Sequence, residues 1–310
     1  MIITVTLNPA IDKTVEVPDF TSGALNRTAS SRTDIGGKGI NVAKVVRALG
    51  HECVAMGILF GQSGRYIGKS LEKLGIVCDF VYAPGETRTN VKINDPVNHI
   101  TTELNEPGSP VASEVFLDLK NRIAERIMPG DVLVLSGSVP PGTDRDIYRD
   151  WIAYFKERGV YTILDADGEL FRFGIEAGPA AAKPNIHELE NYFGRPFHAT
   201  EEICTKAREF FRFGTERILV SMGDKGAVML DRNCALCLPA MPVSVSGTVG
   251  AGDAMVAALA VSAVRRDTPE NAMRLAVACS AASVMTEGTA APSFKDVNAL
   301  LERLGRPAFF

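Results

Sequence analysis

Apolar runs alternate with amphipathic stretches along most of the chain. The apolar runs predict strands at residues 2–7, 53–59, 131–135, 161–164 and 217–221. Several of them are apolar throughout rather than at every second position, which is typical of strands that are buried on both faces. Patterns with a helical period predict helices at residues 39–49, 66–74, 114–127, 144–158, 200–213, 253–264 and 269–285. The alternation predicts an α/β fold with a mostly parallel central sheet flanked by helices on both faces.

Two segments break this alternation. Residues 12–34 and 87–105 contain strand-like stretches, at 13–17, 28–33, 89–93 and 100–104, with no helical pattern between them. We expect the two segments to form a small β-sheet lid built from discontinuous insertions. The remaining residues, 1–11, 35–86 and 106–310, then form one large α/β domain.

Composition narrows the class of partner. The chain has 310 residues and a net charge of −4, and its longest basic cluster is the pair Arg265-Arg266, which excludes a nucleic-acid footprint. The longest apolar stretch, residues 254–264, is about half of a membrane span. Six dispersed cysteines do not indicate a disulfide framework. These features, and the absence of a signal-peptide pattern at the start, predict a soluble cytoplasmic protein that binds a small molecule.

The most informative motif is Gly250-Ala251-Gly252-Asp253, which precedes a helical run. The glycines allow a sharp turn that presents backbone N–H groups, and the following helix adds its positive end, so the motif is suited to bind an anion. An aspartate inside an anion site is explained if it acts as a general base on a nucleophile near a phosphoryl group. By itself, the motif is better explained by an ordinary helix cap, in which Asp253 satisfies free N–H groups at the start of the helix.

Three further motifs have both a functional and a plain structural interpretation. Residues 36–41 (Gly-Gly-Lys-Gly-Ile-Asn) are suited to contact a phosphate or sugar hydroxyls, or form a flexible turn before a helix. Asn185 and Glu188 are spaced to share one helical face and order water around a magnesium ion, or simply begin a helix. Residues 221–226 (Ser-Met-Gly-Asp-Lys-Gly) follow a strand and either contact a nucleotide or form a hairpin turn. Asp165 and Asp167 lack the rest of a calcium loop and receive no functional role.

Taken together, the motifs resemble those of the phosphofructokinase B family of ribokinase-like sugar kinases. The resemblance rests on residues 6–12, 36–41, 85–90, 136–142, 183–188, 221–226 and 248–255, which occur in the family's order and span nearly the whole chain. The sequences Leu-Asn-Pro-Ala-Ile-Asp and Gly-Gly-Lys-Gly-Ile-Asn are most similar to the branch that contains 1-phosphofructokinases and tagatose-6-phosphate kinases.

The resemblance implies ATP-dependent phosphoryl transfer to a hydroxyl of a sugar phosphate. It implies that Asp253 is the general base and that Gly250, Ala251 and Gly252 form an anion hole. The expected sugar-phosphate ligands, with Lys38 and Arg88 as candidates for the existing phosphate, are Asp12, Gly37, Lys38, Asn41, Arg88, Ser138 and Lys183. The residues expected to contact the nucleotide are Asn185, Glu188, Ser221, Gly223, Gly226, Gly250 and Gly252.

The same resemblance implies cofactors and an assembly. Mg²⁺ would accompany ATP, with Glu188 as an indirect ligand through water, and some relatives use K⁺ near the anion hole. Family members commonly pair through the lid, so a homodimer is expected.

Several alternatives for the activity remain open. Fructose 1-phosphate is the favoured substrate and tagatose 6-phosphate the alternative. A sugar-phosphate sensor without catalysis is a more remote one. A nicotinamide oxidoreductase is disfavoured because no Gly-x-Gly-x-x-Gly follows the first strand.

Overall fold

The computed structural model describes residues 1–309 of the chain, which contain fourteen strands and ten α-helices. Phe310, the last residue of the predicted large domain, lies outside it. The strands are β1 (Ile2–Thr6), β2 (Ala10–Glu16), β3 (Ser30–Gly36), β4 (Cys53–Phe60), β5 (Val77–Ala83), β6 (Arg88–Asp95), β7 (Ile100–Asn105), β8 (Val132–Ser136), β9 (Tyr161–Asp165), β10 (Ala181–Ala182), β11 (Arg217–Ser221), β12 (Ala227–Asp231), β13 (Ala235–Leu238) and β14 (Ala308–Phe309). The helices are α1 (Lys38–Ala48), α2 (Gly61–Lys73), α3 (Ser113–Arg126), α4 (Ile147–Lys156), α5 (Gly168–Glu176), α6 (Ile186–Phe193), α7 (Thr200–Ala207), α8 (Ala251–Arg265), α9 (Pro269–Val284) and α10 (Phe294–Arg303).

The large sheet has the order β14-β13-β12-β11-β10-β9-β8-β1-β4-β5. Strands β11 through β5 in this order are parallel, and β12, β13 and β14 extend the sheet with antiparallel pairs. From β1 the chain first builds outward through β4 to β5, and from β8 it builds in the other direction. The strand order therefore reverses between β1 and β8, and α/β sheets bind ligands at the carboxyl ends of the strands beside such a point.

Each face of the large sheet is covered by a separate hydrophobic core. One core contains apolar side chains from α1, α2, α8, α9 and α10, and the other contains those from α3 to α7. Along β8 the side chains alternate between them, with Val132 and Val134 in the first core and Leu133 and Leu135 in the second. This two-sided burial is why the parallel strands are apolar throughout, and it confirms the predicted fold class.

The second sheet has the order β3-β2-β6-β7 and stands apart from the large one. Its strands come from the two segments that break the helix–strand alternation, and β2 and β6 pair in parallel across them. The register places Asp12 opposite Asn90, with Lys13 opposite Val91 on the reverse face. We call this sheet the lid. The division into a large domain and a lid, with the boundaries given above, stays a prediction.

Two predicted helices differ from the observed ones in a way that packing explains. Helix α2 begins at Gly61 rather than at residue 66, because Gly64 lies so close to Leu59 of β4 that the low helix propensity of glycine is outweighed by close packing. The predicted helix at 200–213 ends its α-helical part at Ala207 and continues as a 3-10 helix over Arg208–Phe213. None of the helices within residues 1–309 is long and apolar enough to cross a bilayer.

Candidate active site

A cavity of about 780 Å³ opens beneath the lid, at the carboxyl ends of the parallel strands. It brings together all the sequence-predicted site residues except Gly226: Asp12, Gly37, Lys38, Asn41, Arg88, Ser138, Lys183, Asn185, Glu188, Ser221, Gly223, Gly250, Ala251, Gly252 and Asp253. These residues come from most of the length of the chain. Their common location follows from the fold, because β1, β8, β9, β10 and β11 are parallel and the loops that follow them all begin at this edge of the sheet.

A slightly larger cavity, of about 870 Å³, lies at the opposite edge of the same sheet. It is lined by residues at the amino ends of strands, such as Tyr161 of β9 and Arg217 of β11, and contains none of the predicted site residues. Since α/β sheets bind their ligands at the carboxyl ends of strands, we assign the chemistry to the cavity beneath the lid.

Residues 250–253, which the sequence predicts to be an anion-binding turn, form the start of α8. Gly250 adopts the left-handed conformation (φ 81°) and precedes the first residue of α8, so the N–H groups of the first helical turn lack helical partners and point toward the cavity. Asp253 is buried in this turn, and its Oδ2 accepts a hydrogen bond of 2.8 Å from Asn41 Nδ2 of α1. The ordinary helix-cap interpretation does not fit, because Asp253 is the third residue of α8 rather than its cap, and its carboxylate accepts a hydrogen bond from the Asn41 side chain.

Asp165, at the end of β9, joins two lysines of the site. Its Oδ1 lies 3.2 Å from Lys38 Nζ and 3.2 Å from Lys183 Nζ, while its buried Oδ2 has no hydrogen-bond partner among the described residues. A Cβ placed on Gly252 would lie 3.4 Å from Lys183 Nζ. The lysine pair therefore extends from the buried carboxylate to the anion-binding turn.

The charges in this cluster shift one another's protonation. Burial raises the pKa of Asp253, and the Asp165 carboxylate raises it further against the opposing lysines. Burial also disfavours ionisation of Asp165, but the ammonium groups of Lys183 and Lys38 hold its pKa below the ordinary value. Burial disfavours the Lys38 ammonium as well, yet Asp165, Asp253 and Glu188 raise its pKa. The cluster thus keeps Asp165 ionised and makes Asp253 the more basic carboxylate of the two.

On the lid side of the cavity, Asp12 is the central acid. It is buried, and its Oδ1 accepts a hydrogen bond of 2.9 Å from Asn90 Nδ2 on the neighbouring strand. A Cβ on Gly36 would overlap the Asp12 carboxylate, so any larger residue at that position would displace this carboxylate. A fixed carboxylate beside amide groups is suited to accept hydrogen bonds from sugar hydroxyls.

Arg88 and Ser138 meet at the edge of the lid. Arg88 Nη2 donates to Ser138 Oγ (3.3 Å) and to the Asn8 carbonyl (3.3 Å), and Nη1 donates to the Glu106 carbonyl (3.1 Å). Asn8 Nδ2 donates to the same Ser138 oxygen (3.3 Å). The guanidinium therefore has a fixed orientation, and no carboxylate of residues 1–309 is bonded to it, which is the arrangement that suits a phosphate ligand.

Asn185 and Glu188 cap the start of α6 reciprocally. Asn185 Oδ1 accepts from the Glu188 N–H and Glu188 Oε2 accepts from the Asn185 N–H, both at 2.8 Å. Asn185 also forms an isolated parallel bridge with Ser221. Within residues 1–309, no group of three His, Cys, Asp or Glu side chains could hold a metal ion directly. The Glu188 carboxylate, with one oxygen engaged in the cap, fits an indirect magnesium ligand that acts through water.

Gly226, the exception among the predicted residues, lines a neighbouring cavity of about 560 Å³. This second cavity shares five lining residues with the first, namely Gly223, Asp224, Ala251, Met255 and Ser280. Its remaining lining is mostly apolar and includes Met241, Pro242, Val243, Val245, Val277, Ala281 and Val284. The two cavities together offer a polar chamber connected to an apolar one.

The cavity also contains residues to which no sequence pattern gave a role. Asn8 and Asn90 lie within the motifs 6–12 and 85–90, whereas Lys92, Glu103, Asn105 and Asp165 lie outside every motif. Asp165 belongs to an incomplete calcium loop, but its position at the end of an apolar strand indicates a residue at the ligand-binding edge of the sheet. The lid residues gave no such signal, because alternating polar positions on a short strand are equally typical of a solvated face.

Comparison with known proteins agrees with the site. Residues 5–296 match the pfkB family of carbohydrate kinases. The chain is 37% identical to a 1-phosphofructokinase of Rhodobacter capsulatus, covering 83% of this chain and 82% of that protein. It is 32% identical to a 1-phosphofructokinase of Borreliella burgdorferi, covering 97% and 96%. The solved structure of Escherichia coli phosphofructokinase-2 in complex with potassium superimposes with a TM-score of 0.91 at 28% identity, covering 97% of this chain and 98% of that one. The chain therefore belongs to the pfkB family of carbohydrate kinases.

Proposed function

We propose that the protein is a 1-phosphofructokinase, which transfers the γ-phosphoryl group of ATP to the C6 hydroxyl of fructose 1-phosphate. The observation that carries the proposal is the buried Asp253 carboxylate in the first turn of α8, beside the N–H groups that follow Gly250. The names of the two curated relatives support the choice of sugar phosphate.

The chemistry needs a base and a site for the transferring charge. Asp253 accepts the proton of the attacking hydroxyl, and its raised pKa makes it a better acceptor than an ordinary aspartate. The N–H groups of the Gly250-Ala251-Gly252 turn bind the transferring phosphoryl oxygens, and Lys183 adds a positive charge beside them. Asp12, Asn41 and the Gly37 backbone orient the sugar. The lid excludes water from the reacting atoms.

Lys38 and Arg88 act at different ends of the substrate. Replacing Arg88 with Met should raise KM for fructose 1-phosphate about 10- to 150-fold, since hydrogen bonds to a charged group contribute ~1.5–3 kcal/mol. Lys38→Ala should instead lower kcat, because Lys38 lies with Lys183 at Asp165. Initial rates with each substrate varied in turn separate the two effects. If Lys38→Ala raises only KM for the sugar phosphate, Lys38 binds the existing phosphate as its motif first indicated.

The apolar second cavity accommodates the adenine of ATP, with Ser221, Gly223 and Gly226 at its border. Ala281 is buried in its wall, so Ala281→Phe should raise KM for ATP at least tenfold by filling the space. KM for the sugar phosphate should stay within twofold. The matched control is Val264→Phe, an exposed residue at the end of α8. An unchanged KM for ATP in Ala281→Phe would mean that the adenine binds outside the second cavity.

Two cations accompany the proposal. Glu188 would hold Mg²⁺ through water, and the ion would supply positive charge against the ATP phosphates. The E. coli phosphofructokinase-2 structure contains potassium. In this chain the segment before Gly250 contacts the end of α9, because the N–H groups of Ser246 and Gly247 donate hydrogen bonds to the Val284 carbonyl. We propose that K⁺ would bind near this contact, beside the anion-binding turn. Rates in K⁺ against tetramethylammonium measure whether this chain requires the ion.

A homodimer through the lid completes the proposal. Leu104 pairs with Val91 in the register of the lid, on the face opposite the cavity, and Ile100 lies on the same face. Both Ile100 and Leu104 are more than half exposed, which is unusual for large apolar side chains on a sheet. Sedimentation of the protein and of Leu104→Glu measures whether this face holds two copies together.

The substrate assignment is tested by ADP release with Mg-ATP and four acceptors in parallel. These are fructose 1-phosphate, tagatose 6-phosphate, fructose 6-phosphate and fructose. A kcat/KM at least tenfold higher for fructose 1-phosphate, or about 1.4 kcal/mol of transition-state preference, supports the proposal. A preference for tagatose 6-phosphate keeps the mechanism and changes the substrate. Absence of transfer to any of them, with binding retained, indicates a sensor.

A further inference from the structure

A buried ammonium group lies behind the active site, where three parts of the fold meet. Lys44 Nζ, from α1, donates to the Ile35 carbonyl (3.0 Å), the Thr289 carbonyl (2.7 Å) and Thr289 Oγ1 (3.1 Å). Thr289 Oγ1 in turn donates to the Ile35 carbonyl (3.1 Å). The three N–H donors of the ammonium are thus fully used, and Lys44 is only 6% exposed.

Each partner of Lys44 belongs to a segment that lies next to an element with active-site residues. Ile35 lies at the end of lid strand β3, which pairs with the strand that carries Asp12. Lys44 itself lies one turn after Asn41, the residue bonded to Asp253. Lys44 does not line the cavity, so it contacts neither the substrates nor the residues beneath the lid from inside it.

Thr289 belongs to the loop of residues 285–290, which follows α9. Thr286 Oγ1 closes this loop by donating to the Ala290 carbonyl. The end of α9 supports the anion-binding turn, since a Cβ on Gly250 would lie 3.6 Å from Ser283 Oγ. The loop is therefore continuous with the support of the turn that carries Asp253.

A second contact joins the same lid strand to the same loop. Arg32 Nη1 donates to Glu287 Oε2 (3.0 Å) and Nη2 donates to the Glu287 carbonyl, while Nε donates to Asp34 Oδ2 (2.9 Å). A Cβ on Gly288 would overlap Arg32 and Asp34, so the loop and the strand are in close contact. The lid is thus attached to the loop at two points, one exposed and one buried.

We propose that Lys44 is a positioning residue, which couples the closure of the lid over the sugar phosphate to the arrangement of the anion-binding turn. The inference rests on the proposed function. Lys44 acts through its three hydrogen bonds and its positive charge, and it touches neither substrate. Among the α1 side chains in residues 1–309, Lys44 alone bonds to both the end of β3 and the 285–290 loop.

The charge of Lys44 faces the acids of the site. Within residues 1–309, no carboxylate oxygen lies within 4 Å of Nζ, so Lys44 has no direct ion pair. Burial lowers the pKa of Lys44 to about 8, opposed by Asp34 of β3, Asp253 of α8 and Asp12 of β2, and reinforced by Arg32 of β3. Lys44 is therefore charged at neutral pH and loses its proton at mildly alkaline pH.

Kinetics across pH test the charge. In the wild type, kcat should fall as the pH rises above about 8, while Lys44→Arg, whose guanidinium stays protonated, should keep its kcat to about pH 10. Lys44→Met should lower kcat at pH 7 about 10- to 100-fold, without an alkaline limb and with KM for ATP within threefold. Arg47→Met, which removes an exposed cation one turn later on α1, is the control and should match the wild type. An alkaline limb that persists in Lys44→Arg, or a kcat of Lys44→Met within twofold of wild type, overturns the proposal.

Hydrogen exchange tests the coupling without catalysis. In Lys44→Met without substrates, the amides of residues 30–36 and 285–290 should both exchange at least tenfold faster, and in Arg47→Met neither segment should change. If Lys44→Met does not fold, Thr289→Val removes the shared hydroxyl and should accelerate exchange in the same two segments. Acceleration in neither segment, or in only one, overturns the coupling. This measurement remains decisive even if the wild type phosphorylates none of the sugar phosphates, so the two proposals fail separately.

Discussion

Asp253→Asn should lower kcat about a thousandfold, or ~4 kcal/mol in activation free energy, and leave KM for both substrates within threefold. The amide keeps the size of the side chain and can still pair with Asn41, but it cannot accept the proton of the attacking hydroxyl. Wild-type kcat should rise with pH through the raised pKa of Asp253, since only the ionised carboxylate is a base. The variant should lack this acid limb. Initial rates of ADP release between pH 5 and 8 measure both effects.

The stability of the same variant provides the check on folding. Because the pKa of Asp253 is raised in the folded state, the ionised carboxylate destabilises the fold once the pH exceeds the ordinary aspartate value. Asp253→Asn should therefore be at least as stable as wild type at pH 7, and less different at pH 4. Asp167→Asn removes an exposed carboxylate from the same cavity and should keep kcat within threefold. Near-wild-type turnover in Asp253→Asn would remove Asp253 from the role of base.

The sequence predicted the parallel strands well because burial on both faces leaves a strong pattern. Strand β8, with side chains alternating between two cores, has no polar position before Ser136. Strand β5 was not predicted. It lies at the edge of the sheet and pairs only with β4, so it is less buried than the central strands. Its exposed Val77 and Tyr82 and its polar Asp79 give neither a continuous apolar run nor a clean alternation.

The motifs predicted which residues reach the cavity, but not how they pair. Asn41 and Asp253 are 212 positions apart, and Lys38 and Asp165 are 127 apart. No local pattern encodes such a contact, since it depends on which strands become neighbours in the sheet. The burial of Lys44 is even harder to predict from the sequence. In the sequence it is an ordinary lysine on an amphipathic helix, and its burial becomes evident only when β3 and the 285–290 loop are placed beside it.

Asp165→Asn should destabilise the protein by ~3–5 kcal/mol at pH 7, since it removes the carboxylate that faces two lysines in a buried site. An asparagine oxygen can still accept a hydrogen bond but leaves the buried Lys183 ammonium without a counter-charge. The pKa of Asp165 is lowered by folding, so its stabilising effect is present above the ordinary aspartate pKa and is lost as the pH falls through the folded value. Urea unfolding should therefore show a large difference from wild type at pH 7, and this difference should shrink as the pH falls below the ordinary aspartate pKa.

The same substitution should also move the acid limb of kcat to lower pH, because the Asp165 carboxylate is one of the two causes that raise the pKa of Asp253. Loss of stability alone would lower the amount of active enzyme without moving that limb, so the two measurements separate packing from electrostatics. Asp146→Asn is the matched control: it breaks an exposed ion pair with Arg149 and should change stability by less than ~1 kcal/mol. If Asp165→Asn is as stable as the control, or if its acid limb moves to higher pH, the Asp165 carboxylate does not organise the charges of this site.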